Sequence, residues 1–138
     1  MEMKKMCQWF DENKAWGMIA LRIALAILFI AKGYSKITGL QGTSTFFANV
    51  GIPAAGFFAV VVALVELVGG IMILIGLGTR PAALLLSITM IVAILAVHIS
   101  AGVYELAMVS LGGTLAVLFN GPTKCTLDAK VMGKKHKK

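Results

Sequence analysis

Two ionisable residues stand where a lipid-facing helix would carry none. Arg22 follows Met18-Ile19-Ala20-Leu21, and Glu66 follows Val60-Val61-Val62-Ala63-Leu64-Val65. A charge near the centre of a bilayer costs about 2.5–3.5 kcal/mol on insertion scales, so it persists where it is paired or lines a cavity. If both runs cross a membrane, a guanidinium and a carboxylate are expected to meet inside a bundle. The helical rise places Arg22 about 9 Å in depth from Trp16 and Glu66 about 15 Å from Gly76, a difference that a long flexible stem can cover. An Arg22–Glu66 pair would either set the register of two helices or form a pocket for a polar headgroup such as a quinone carbonyl.

A second polar group gathers toward the outer side: Lys32 and Lys36 where the first apolar run ends, His98 at the end of the third run and Glu105 at the start of the fourth. Ammonium, imidazole and carboxylate near one another suit a proton relay or a contact to a quinone carbonyl. The plainer alternative is that His98 is a hydrogen-bonded packing residue. Spacing by three, four or seven residues puts Arg22, Phe29 and Lys36 on one helical stripe, and Glu66, Gly69, Gly70 and Ile73 on another. Gly69, Gly70, Gly112 and Gly113 are the expected seats for close helix packing, with a dimer seam at the last two as the sharper alternative. No His, Cys and carboxylate spacing reads as a metal site, and no flavin motif or phosphate-cradling glycine loop is present.

These residues need long apolar elements to hold them. The 138-residue chain is 59% hydrophobic and 14% charged, more apolar and less charged than a soluble domain, and its mean hydropathy is +0.90. The net charge is +7, and the basic residues cluster near the two ends, at Lys4-Lys5 and Lys134-Lys135-His136-Lys137-Lys138, which fits the flanks of a membrane protein and not a nucleic-acid face. Four spans are expected, at about 16–37, 53–75, 81–99 and 104–119, in an all-α membrane four-helix bundle forming a single domain. Segment 43–51 is expected to be amphipathic at the interface or re-entrant, and 124–138 a basic tail. Four crossings put both ends on one side, and the distribution of Lys and Arg makes that side the cytoplasm. Cys7 and Cys125 then lie in a reducing compartment as free thiols. The leader carries Glu2, Asp11 and Glu12 and does not read as a cleavable signal.

The ordered series Arg22-x6-Phe29-x3-Gly33-x2-Lys36, Phe46 or Phe47, Gly51-Ile52-Pro53, Glu66-Leu67-x-Gly69-Gly70, Gly76-Leu77-Gly78-Thr79-Arg80, His98, Glu105 and Gly121-Pro122 resembles the DoxX family of small four-helix membrane proteins. That resemblance covers residues about 18–128. It implies a protein of the bacterial or archaeal cytoplasmic membrane, in a family linked to quinone-dependent membrane redox assemblies. On it, Arg22, Lys36, Glu66, Arg80 and His98 fall at marked positions. Ala26, Thr123 and Cys125 depart from the pattern.

The leading expectation is a quinone-linked subunit or anchor of a membrane redox complex. Its environment is the lipid bilayer, a soluble or membrane partner supplies electrons, and homo-oligomerisation is open. The alternative is a non-catalytic scaffold, lipid-binding protein or assembly factor, with a small-molecule transporter third. Neither needs nucleic acid.

Overall fold

The computed structural model describes residues 2–97 and 103–123. Six helices follow one another: α1 (Glu2–Glu12), α2 (Lys14–Thr38), α3 (Leu40–Asn49), α4 (Ala55–Ile75), α5 (Thr79–Val97) and α6 (Val103–Asn120). Among the described residues every element is helical. Three of them, α2, α4 and α5, are long and apolar enough to cross a membrane; α6 is apolar but shorter. His98, Cys125 and the basic tail lie outside the described residues.

The local chemistry explains the breaks. Gly76 closes α4 in the left-handed region (φ 73°), where a side chain would be strained, and the N–H groups of Gly76 and Leu77 both bond Met72 O at 2.9 and 3.1 Å. At its other end α4 starts at Ala55, two residues later than Pro53 suggests, because Ala54 takes a left-handed conformation (φ 49°). Between α2 and α3 the only break is Gly39. Gly42 and the Thr43-Ser44-Thr45 cluster, residue types that usually weaken a helix, lie inside α3. Their hydroxyls explain why: Thr43 donates to Gly39 O at 3.1 Å and Thr45 to Gln41 O at 2.9 Å, so each side chain bonds its own helix.

α1 was not expected from the sequence, where residues 2–12 read as a charged leader. Its apolar residues Met3, Met6, Trp9 and Phe10 fall on one side and all are exposed. A single residue, Asn13, joins it to α2.

Packing is built on small residues. α2 runs antiparallel to α4, α4 packs on α5, α5 on α6, and α3 leans on α4. A side chain on Gly33 would strike the backbone of Leu67, with its Cα at 2.8 Å; one on Gly70 would meet Ile30 N at 3.0 Å. Gly69 receives Leu86 and Gly113 receives Leu25, whereas Gly112 faces open space. Within this chain Gly112 therefore seats no neighbouring helix, which corrects that expectation, and Gly33 takes the role instead. The core joins Leu25, Ala26, Phe29, Ile73, Leu86 and Val117, while Ile27, Leu64, Val68, Leu85, Leu95 and Val109 point outward. Buried Ser87 donates to Thr114 at 2.8 Å, a hydrogen bond linking α5 to α6. With apolar residues outside and polar groups bonded within, the bundle has the distribution that hydrocarbon solvent demands.

Candidate functional site: a lysine–glutamate pair walling a cleft

The two stripes read from the sequence do face each other, but the partners differ. Glu66 is 1% exposed and its carboxylate accepts from the Lys36 ammonium, with Nζ 2.5 Å from both oxygens. Among the described residues this is the one salt bridge. Arg22 is also buried, yet its guanidinium donates to Ile73 O at 2.6 Å and to Thr123 Oγ1 at 3.0 Å. Ile73 lies two turns, about 10 Å, along α4 from Glu66. The expected Arg22–Glu66 pair is replaced by Lys36–Glu66.

The cause is register. Arg22 and Lys36 share a stripe on α2 but lie fourteen residues apart, about 21 Å along the axis. Which of them meets Glu66 depends on where α4 settles, and Gly33 decides it. Its missing side chain admits the Leu67 backbone, and Lys36, one turn further on, then lies beside Glu66. The sequence signal for this was Lys32-Gly33-x-x-Lys36, a close-approach glycine flanked by two lysines one turn apart.

Two cavities meet at this pair. The smaller, about 80 Å³, lies among Phe29, Met90, Ala107 and Ser110. The larger, about 700 Å³, opens between α3, α4 and α5, with Phe46, Phe47, Phe58, Val62 and Val92 on its walls. Lys32, Lys36 and Glu66 line both. A volume of this size, apolar walls and a few convergent polar groups are the marks of a small-molecule site. The aromatic wall contributed by α3 was not foreseen.

The remaining members of the expected outer cluster separate. Lys32 is half-buried beside the cavities and makes no hydrogen bond or ion pair among the described residues. Glu105 is exposed in the first turn of α6 and lines neither cavity. His98 lies outside the described residues. Arg80 is exposed, its guanidinium against Gly121 at the end of the bundle that also holds Arg22. Chemically, the site offers ammonium donors, one carboxylate acceptor already engaged, and a path between Lys36 and Glu66 for a proton.

The family model for DoxX matches residues 17–99. Over 91 residues the chain is 40% identical to "Putative oxidoreductase CatD" of Bacillus subtilis (strain 168), a match covering 64% of this chain and 66% of that protein, just under two thirds of its length. It is 34% identical over 125 residues to "Inner membrane protein YqjF" of Escherichia coli (strain K12), covering 86% of this chain and 94% of the relative. "Inner membrane protein YphA" of the same organism is 34% identical over 80 residues, covering 56% and 57%. No solved structure matches.

Proposed function

The chain belongs to the DoxX family of membrane proteins, and from that premise we propose that it is a quinone-linked subunit of a membrane redox complex. The observation that carries the reading is the apolar cleft of about 700 Å³ lined by a buried glutamate and the half-buried lysine paired with it. One relative's name speaks of an oxidoreductase, which supports the same direction. In this reading α6 is the fourth crossing, both termini are cytoplasmic, and the bilayer is the cytoplasmic membrane of a bacterium or archaeon.

The residues fit a quinone headgroup: Phe46, Phe47 and Phe58 offer aromatic faces, and Lys36 offers a donor on the same wall as Glu66. When bound, the quinone would accept two electrons and two protons. Lys36 would hold such a headgroup by donating to a ring oxygen, Glu66 positions the Lys36 ammonium through both carboxylate oxygens, and the apolar walls limit the access of water. The sequence has no flavin or metal motif, so a partner protein supplies electrons.

Purified protein in nanodiscs titrated with a short-chain ubiquinone or menaquinone analogue tests this. Saturable binding weakened by Lys36→Met/Glu66→Gln, which leaves no buried charge, supports the reading; no saturable binding, or binding that this variant leaves unchanged, overturns it. A second reading, a non-catalytic scaffold, is favoured by the tight Gly33–Leu67 seat, which would make the ion pair a registry device. It predicts that Glu66→Gln lowers stability without altering the redox rate of any complex containing the protein.

A further inference from the structure

Two lysines and one glutamate line the large cleft, and the glutamate is already committed. Glu66 is almost fully buried with both oxygens against Lys36, so that pair is neutral toward a ligand. Lys32, one turn before Lys36, lines the same cavity and has no hydrogen-bonding or ionic partner among the described residues. The cleft thus carries a net charge of one positive unit set in apolar walls. An ammonium has only donors, and an unpaired charge in a low-dielectric setting is costly, so its complement is a group that accepts and is negative.

The shape completes the specification. From Lys32 the walls run along Phe46, Phe47 and Val50 of the α3 side, Phe58 and Val62 of α4, and Val92 and Ala96 of α5. A long hydrocarbon chain suits such a surface. We propose that this cleft binds a monoanionic amphiphile, with its carboxylate or phosphate on Lys32 and its alkyl chain between α3, α4 and α5. This goes beyond the quinone reading and does not require it. If both hold, the anionic amphiphile competes with the quinone for one cleft and regulates it.

The test uses the full chain in phosphatidylcholine nanodiscs and spin-labelled stearic acid, with its methyl ester as the uncharged control. Electron paramagnetic resonance reads the immobilised fraction. The acid is expected to associate at least tenfold more strongly than the ester. Lys32→Met removes that preference while leaving ester association unchanged, and Lys32→Arg restores it, which separates charge recognition from a folding defect. Competition by phosphatidic acid assigns the site to a lipid headgroup; its failure assigns it to a free fatty acid. Equal association of acid and ester with the wild-type protein, or a preference that survives Lys32→Met, overturns the proposal. Quinone-analogue titration on the same samples fails or succeeds separately.

Discussion

Removing Lys36 should harm this protein far more than neutralising Glu66, and the asymmetry follows from burial. Glu66 is 1% exposed, and the Lys36 side chain is 25% exposed. In Lys36→Met the carboxylate remains in the interior without its salt-bridge partner, a situation that costs about 3–5 kcal/mol when a buried pair is broken. In Glu66→Gln the amide oxygen still accepts one hydrogen bond from Lys36, and the ammonium can extend its flexible stem toward the cleft mouth. The loss is then close to that of one net hydrogen bond, about 0.5–1.5 kcal/mol. The double variant Lys36→Met/Glu66→Gln should recover most of the Lys36→Met loss, because no buried charge is left. Equilibrium unfolding in mixed detergent micelles, as sodium dodecyl sulfate is raised, measures all three. Equal losses for the two single variants, or a double variant as unstable as Lys36→Met, would refute the reasoning.

Other expectations follow from the packing. Gly33→Ala should cost at least 1–3 kcal/mol, about the range for overpacking, since the new carbon strikes the Leu67 backbone and not a movable side chain. Gly112→Ala, facing open space, should be neutral or raise stability by up to about 1 kcal/mol through helix propensity; thermal denaturation in detergent distinguishes the two. Ser87→Ala removes the α5–α6 hydrogen bond and should lower stability by about 0.6 kcal/mol, read in the same unfolding titration. The amphipathic α1, tied by one residue to α2, should lie in the membrane surface with Trp9 in the headgroup region. In a Trp16→Phe background, Trp9 fluorescence should be quenched by lipids brominated near the headgroups; quenching equal to that of tryptophan in solution would contradict it.

The sequence made the helical architecture legible because apolar runs and glycine stops are strong local signals. Gly76 closing α4 was readable in this way, and so was the inward stripe holding Arg22, Phe29 and Lys36. The partner of Glu66 was not readable. Two cations on one stripe are equivalent to periodicity, and only the Gly33–Leu67 contact, a relation between two helices, separates them. α3 was expected only in part, as an amphipathic or re-entrant stretch over 43–51, and α1 was missed, for a related reason. Threonines and glycines weaken a helix in water, yet the hydroxyls of Thr43 and Thr45 satisfy their own helix, and the charges of residues 2–12 masked an apolar side. The cleft was invisible because its walls come from four separate helices.

The cleft beside Lys36 and Glu66 is the heart of the functional account, and photolabelling tests it most directly. An azidoquinone irradiated with the protein in nanodiscs should modify Phe46, Phe47, Phe58, Val62 or Val92, with labelling suppressed by excess unmodified quinone. Labels scattered over outward residues such as Leu85 and Val109, unaffected by competition, would contradict it.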